Sequence, residues 1–481
     1  MGTRYLDLDP TVDRRMFIKG LGLVSTGLVM ATLGGCEALF DQIANRPVRR
    51  RLRTGSSDVD DAIAIYKDAV NQMRALPSSD PRSWDAQSGL HGTVVPNVFN
   101  FCQHGTDHFF SWHRAYLLYF EQICQQLTGE DSFGLPYWNW NQDPDIHPEF
   151  TDPASPLTHP RTNNSVAGNS AFMDFLLDPI FADINFYTFS SQIEGTPHNN
   201  AHTIVGGDMR TGGSPLDPVF WAHHCMVDYC WAKWNIELEN DNTSDQAWLD
   251  TTWDHFVDGN GDPVEVTALG TVLMPFLSYQ YESSAIGSFG AVARLTSAEL
   301  RTVQERVREG AEIRFEIKQT VPIADRARIS SARPFSEESS LAAGNVAALL
   351  ESASATERIF ARIAYAMLPS SNDFFVRVFI NRPDADANTS TDDPHFAGSF
   401  AFFGTHGQDH GQHAARTEFL VYVTDTLQRL LAMGALRDGE PISVQLVAVP
   451  VAGQFARADT ELMLEGIDLI VTRVQVRTDR D

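Results

Sequence analysis

Cys102-Gln103-His104-Gly105-Thr106-Asp107-His108-Phe109-Phe110-Ser111-Trp112-His113-Arg114 runs on to Glu121, and a second histidine-bearing stretch, Asp217-Pro218-Val219-Phe220-Trp221-Ala222-His223-His224, runs on to Asp228. Between them, Pro197-His198-Asn199-Asn200-Ala201-His202 sets two histidines four apart, which on a helix places both rings on one face. Such a pair can grip one metal ion. Neutral imidazole suits copper in both oxidation states, and a ligand set free of thiolates and carboxylates leaves the metal free to cycle. His224 lies four before Asp228 on what reads as the next helix, so that carboxylate is placed as an orienting group behind the ligands or as a helix-to-helix hydrogen-bond acceptor. His198, His202 and His224 thus account for one copper ion.

For a second ion, His104 and His113 are nine apart, too far for adjacent turns, which puts His104 on an ordered loop and His113 near the start of a helix. The third ligand must come from upstream, where His91 is the only histidine before residue 104. Glu121 follows His113 by eight residues, about two turns at 3.6 residues each, on the same face and behind the ligands. His223 reads as a packing or hydrogen-bonding neighbour of the site, and His108 as a loop residue near the pocket. His147, His159, His255 and His395 read as ordinary surface or core residues.

These stretches resemble the two copper-binding signatures of the tyrosinase and polyphenol oxidase family, which uses a coupled copper pair, each ion held by three imidazoles, to activate dioxygen and oxidise phenols to ortho-quinones. The resemblance implies two copper ions as cofactors and dioxygen with small phenolic or catecholic substrates as partners. It also supports His91, because fungal members carry their first ligand at that place. Fungal and molluscan relatives with a Cys-x-His arrangement join the two side chains through a thioether, and Cys102 and His104 match it. In relatives that hydroxylate monophenols, a Glu and an Asn at the places of Glu194 and Asn199 hold a water that acts as base; the plainer reading of Glu194 is a helix cap. The expected activity is ortho-hydroxylation of monophenols with oxidation of catechols to ortho-quinones. The alternatives are a catechol or ortho-aminophenol oxidase without hydroxylation, and an oxygen carrier of the hemocyanin type. Carriers bury their site behind a neighbouring domain's bulky side chain, whereas the small-residue loop 208–214 suggests an open mouth here.

Helical spacing at 58–73, 113–127, 198–206 and 219–238 predicts a four-helix bundle, whose core is a standard place for a dinuclear metal. Long loops such as 141–170 would build the rim. Pro136-Tyr137-Trp138-Asn139-Trp140 resembles a family motif that packs behind the first copper. Tyr279-Gln280-Tyr281 resembles the tyrosine motif that closes the central domain against an arginine, here among Arg49 to Arg53. These bounds give a tyrosinase-like dicopper catalytic domain over 58–285. Residues 291–318 read as helix into strand and the Ser/Ala-rich 325–358 as linker, so 286–369 is a helical and linker region. Alternation at 374–380, 395–403, 443–449 and 462–471 predicts half-buried strands. Residues 370–481, with Asp393 to Phe400 as the nearest match, resemble the C-terminal shielding domain of plant-type polyphenol oxidases. The fold class is therefore multidomain, a mainly α four-helix-bundle catalytic domain followed by an all-β sandwich, in a bacterial member of the family.

A chain of 481 residues accommodates two or three domains, and its net charge of −26 with no basic block argues against nucleic acid. Asp13-Arg14-Arg15-Met16-Phe17-Ile18-Lys19 resembles a twin-arginine export signal over 1–35, followed by an N-terminal segment over 36–57. The apolar run 20–35 is too short for a spanning helix. Leu33-Gly34-Gly35-Cys36 resembles a lipoprotein processing site with Cys36 lipidated, which implies a periplasmic or cell-surface protein touching membrane only through that anchor. Cys124, Cys225 and Cys230 are expected as buried thiols without a disulfide framework. His406, His410 and His413 crowd a Gly-rich segment that reads either as a solvated loop or as a place to receive copper.

Overall fold

The computed structural model describes residues 46–238, 240–282, 312–330, 335–342, 357–365, 369, 374–403, 418–436, 441–451 and 461–477. The export signal, Cys36, the helix expected after residue 290 and the His406/His410/His413 segment lie outside the described residues. None of the described helices is long and apolar enough to cross a membrane.

Helix α1, Ser57–Ala75, buries Val59, Ala62, Ile63, Tyr66, Ala69, Val70 and Met73, the three-and-four spacing of one core-facing stripe. Helix α2, Trp84–His91, starts where the Ser83 side chain accepts from Ala86 N. Helix α3, Phe109–Thr128, ends at Gly129, whose φ of 74° is the left-handed cap that favours glycine. It begins four residues earlier than its spacing predicts, so His113 sits in its second turn. Helices α4, Asp174–Phe181, and α5, Phe186–Ile193, precede a wide π turn, Glu194–His198, which feeds α6, Asn199–Val205. Helix α7, Val219–Ala232, is buried along its whole length, and α8, Ala268–Leu277, packs on α3. Helix α3 also packs against α1 and α7, which sets the loop and helix histidines around one centre.

A two-stranded parallel pair, β1 (Val48–Arg49) and β2 (Gln280–Tyr281), ties the two ends of this domain together with Arg49 opposite Tyr281. That register drives the Arg49 guanidinium into the core, 0% exposed, where Nε donates to Glu121 Oε2 at 2.9 Å and Nη1 to Asp228 Oδ2 at 3.1 Å. Arg114 donates to the other Asp228 oxygen at 2.5 Å, and the Tyr279 and Tyr281 hydroxyls donate to Oδ2 at 2.5 and 2.6 Å. Arg49 also lies 3.6 Å above the Tyr279 ring. Glu121 and Asp228 therefore join helices through arginine instead of orienting imidazoles. Arg49→Ala would leave buried carboxylate charge uncompensated, at a cost of about 3–5 kcal/mol. A loss below 1 kcal/mol (~) in denaturant unfolding would contradict this role.

The strands described from Glu312 onward form two stacked antiparallel sheets. They are β3 (Glu312–Ala324), β4 (Ala327–Ser330), β5 (Phe335–Ala342), β6 (Glu357–Tyr365), β7 (Phe374–Ile380), β8 (Phe396–Ala401), β9 (Glu418–Tyr422), β10 (Pro441–Pro450) and β11 (Glu461–Arg477). One sheet has the order β9-β6-β11-β3 with β4 also on β11, the other β8-β7-β10-β5. Val376, Val378, Ile380, Leu446, Ile363, Leu469 and Phe400 fill the space between them, and helix α9, Thr424–Ala432, adds Leu427 and Leu430. The stretch read as a linker thus supplies β4, β5 and the start of β6, and the sheets begin at Glu312. Its Ser/Ala composition hides these strands because they are held by backbone pairing to longer neighbours.

Candidate metal centre

Five histidines are fixed by the same device, a ring Nδ1 held from behind. His91, the last residue of α2, bonds through Nδ1 to Gly212 O at 2.6 Å. His113 Nδ1 bonds to Phe109 O one turn earlier at 2.7 Å, and His202 Nδ1 to Met209 O at 2.6 Å. His198 Nδ1 meets Asn199 Oδ1 at 2.9 Å, while His104 Nδ1 lies 3.2 Å from Cys102 Sγ. A ring that donates from Nδ1 presents a bare Nε2 lone pair on the far side. The Nε2 atoms of His91, His104, His113 and His198 are buried without a hydrogen-bond partner, and His202 Nε2 lies 3.3 Å from His224 Nε2. Burial pushes His91 and His198 down to about 3 and lowers His104, His113, His202 and His224 well below the ordinary imidazole range. Neutral rings with convergent unpaired nitrogens are costly in a dry core unless a cation completes them. The residues present therefore fit a metal.

The sets close enough to share an ion are His198, His202, His223 and His224; His91, Cys102 and His104; and His91, His113 and His224. All six expected ligands are brought together, and His224 stands between the groups, its ring stacked on His113 with centroids 4.5 Å apart. His223 belongs to the same cluster, but its Nδ1 accepts from Trp140 Nε1 at 3.1 Å. Such a neutral ring carries its proton at Nε2 and offers no lone pair there. His108 stacks on Trp248, His255 accepts from Trp112 Nε1, His159 pairs with Asp208, His395 Nδ1 meets Ile380 O and His147 caps a short turn at Glu149, all apart from the cluster. Cys102, Cys124, Cys225 and Cys230 are buried free thiols.

The loop 208–214 is a support, and the open mouth expected of it is not found. Its Gly212 and Met209 carbonyls hold His91 and His202. A Cβ at Gly212 would fall 2.0 Å from Val98 O, so glycine is there for close approach.

The mouth is instead lined by Glu194, Asn199, Gly105, Tyr365, Phe403 and Phe419 around a cavity of about 40 Å³. Glu194 Oε1 accepts from Gly105 N at 2.6 Å, and Asn199 Nδ2 donates to Ala401 O of the sandwich at 2.9 Å. Thr196 Oγ1 and Thr203 Oγ1 donate to Ser399 O and Phe402 O. These bonds seat the chain after β8 against the π turn and α6. They deliver Phe403 onto the histidines, 3.8 Å from the His202 ring at 25° and 5.0 and 5.6 Å from His104 and His198. One aromatic side chain of the C-terminal domain thus fills the space the nitrogens face. Nothing in the sequence marks this phenylalanine out from its 29 fellows among 30.

The family model described as the common central domain of tyrosinase matches residues 81–179 and 155–237, and the chloroplastic polyphenol oxidase C-terminal domain matches 366–461. The chain belongs to the tyrosinase and polyphenol oxidase family. Tyrosinase HcTyr1 from Hahella sp. (strain CCB-MM4) is 31% identical over 287 residues, 46% of this chain and 61% of the relative. The chain spans about half the length of several other curated relatives it matches. A recombinantly expressed latent aurone synthase (polyphenol oxidase) superposes with a TM-score of 0.61 at 20% identity, covering 89% of this chain and 90% of that one. A functional unit of octopus hemocyanin superposes with 0.53 at 16% identity, covering 88% and 99%. The two-domain arrangement of this family is therefore shared with a hemocyanin unit, and fold alone does not choose between them.

Proposed function

We propose that the chain is a copper-dependent phenol oxidase that hydroxylates monophenols at the ortho position and oxidises catechols to ortho-quinones. The observation that carries this reading is the convergence of buried, neutral, unpaired imidazole nitrogens beneath a side chain from the second domain. His91, His104 and His113 would hold one copper and His198, His202 and His224 the other. Bound copper supplies the redox capacity and the sites for dioxygen and the substrate oxygen. The protein's own residues do the rest. A phenol has a pKa of about 10 and must lose its proton to bind well. Glu194 faces the cavity beside Asn199, and a water held between them would take that proton. In the closed arrangement Asn199 Nδ2 is engaged by Ala401 O, so this water site forms only as the strand withdraws.

Copper-loaded protein assayed on tyrosine and on a catechol tests the reading. Glu194→Gln or Asn199→Asp is expected to lower tyrosine hydroxylation by about 10²-fold, the usual worth of a positioned base, while changing catechol oxidation little. Equal losses on both substrates would favour a structural role and the catechol or ortho-aminophenol oxidase alternative. Quinone from neither substrate, with dioxygen still bound, would favour a hemocyanin-type carrier.

Cys102 and His104 would be joined by a thioether, supported by the 3.2 Å approach of Sγ to the ring. Such a bond pins the imidazole and removes a reactive thiol from beside a redox metal. The coupling breaks an S–H and a ring C–H bond and releases two protons and two electrons, which dioxygen would accept once copper is bound, so intact-mass analysis of copper-matured protein is expected to show the loss of two hydrogens, and an unmodified mass would remove the idea.

A further inference from the structure

The basic side chains of this chain are chosen unevenly. Lys19, Lys67, Lys233 and Lys318 are its only lysines, and every other member of its 36 Lys and Arg residues is arginine. Lysine is among the commonest residues of ordinary proteins. The net charge of −26 does not account for the choice, because the two side chains carry the same charge. They differ as nucleophiles. With a pKa of about 10.4, lysine keeps roughly 0.04% of its amine unprotonated at neutral pH, whereas arginine, at about 12.5 or above, keeps at least about a hundredfold less. The thiols are withheld in another way. Cys102, Cys124, Cys225 and Cys230 are each 0% exposed, and a thiol buried among apolar side chains is inert.

The proposed reaction makes an ortho-quinone, an electrophile that amines and thiols attack at a ring carbon. In that addition one N–C or S–C bond forms, the N–H or S–H proton and the displaced ring proton end on the two quinone oxygens, and the ring returns to a catechol with no further oxidant. Amines within reach of the product are therefore a liability. Lys19 lies outside the described residues. Lys67 Nζ, on α1, pairs with Glu149 Oε2 at 2.8 Å, and Lys233 Nζ, just after α7, lies 4.3 Å over the Phe181 ring. Each contact favours the ammonium over the amine by up to about fivefold. Both lysines are half-buried, whereas Lys318 on β3 is exposed within the exposed run 317–320. None of the three lines the cavity over the histidines.

Resting on the phenol oxidase reading, we propose that the described surface is spared arylation by an ortho-quinone product because arginine stands where lysine would react, and that Lys318 is the residue at which the quinone attaches. Arg74, Arg326 and Arg328 are exposed and keep a cation at the surface without a reactive amine. Quinone that the enzyme does not trap leaves it as a free electrophile, so the reaction that consumes it is addition of an amine or thiol from another molecule.

Full-length, copper-loaded protein is treated at neutral pH with freshly prepared ortho-benzoquinone, which makes the electrophile independent of turnover, and amine and thiol adducts are located by peptide mass mapping. A parallel sample makes its own quinone from catechol. Lys318 is expected to carry about five times the adduct of Lys67 or Lys233, and the four described thiols none. Lys318→Arg is expected to lower the total adduct on described residues about threefold, and the triple change Arg74→Lys, Arg326→Lys and Arg328→Lys to raise it about twofold or more. If the triple variant fails to fold, Arg326→Lys alone, in the turn before β4, retains the test. Adduct spread evenly over the three native lysines, or found on a described thiol, would overturn the assignment of Lys318. Introduced lysines that stay unmodified while Lys318 reacts would overturn the protection by arginine. Adducts as expected from added quinone, in a protein that forms no quinone from catechol, would support the assignment of Lys318 and count against the phenol oxidase reading alone.

Discussion

Replacing His113 or His224 by alanine is expected to lower copper-dependent catechol oxidation about a thousandfold or more and to remove about half of the bound copper, since several kcal/mol of Lewis-acid stabilisation disappear with one ion of a two-metal centre. The two rings are the joint between the halves of the cluster. They stack with centroids 4.5 Å apart, and His224 Nε2 lies 3.3 Å from His202 Nε2. His113 is held by Phe109 O within its own helix, so its loss leaves the backbone of α3 undisturbed. His223→Ala is the matched control, because a ring that accepts from Trp140 at Nδ1 has no lone pair to give at Nε2. Copper analysis, quinone absorbance and near-ultraviolet circular dichroism on the same samples separate loss of metal from loss of fold. Full activity in either variant would overturn the ligand assignment, and loss of copper from His223→Ala would make that residue a ligand.

The helical part of the cluster was legible because a four-residue spacing on a helix has one geometric meaning. His198 with His202 needed that rule, while His91 needed elimination together with the family resemblance. What lies behind the ligands was not legible, since a backbone carbonyl such as Gly212 O or Met209 O carries no signature in the sequence. Glycine-rich loops read two ways, as open space or as close approach, and only the Val98 carbonyl against Gly212 decides for the second. The choice of Arg49 among neighbouring arginines depends on the register of β1 on β2, a contact across more than two hundred residues. Asp228 lies one turn beyond His224, and its partners, two arginines and two tyrosines, come from elements whose arrival no local pattern encodes. The strands within 325–358 escaped for the same reason, being stabilised by pairing and not by their own composition.

Replacing Phe403 by alanine is expected to raise kcat/KM for catechol about tenfold or more at unchanged copper content, as apparent affinity scales with the fraction of protein whose site is open to substrate. The ring occupies the space that the unpaired Nε2 atoms face, stacked 3.8 Å from His202 and in contact distance of Phe99 at 5.4 Å. A phenol ring must enter that same volume to bring its oxygen to the metals, so the two aromatic rings exclude each other. Truncation acts twice. It empties the site, and it removes a buried aromatic side chain worth about 3–5 kcal/mol from the seam that the Asn199, Thr196 and Thr203 bonds hold together. The gain should therefore show as a lower KM for catechol even before the sandwich separates, and limited proteolysis between the domains should add little to a variant already open. Unchanged kinetics with intact copper would mean that access is not set by this ring. A hemocyanin-type carrier would behave differently again, binding dioxygen in both forms while the alanine variant still formed no quinone.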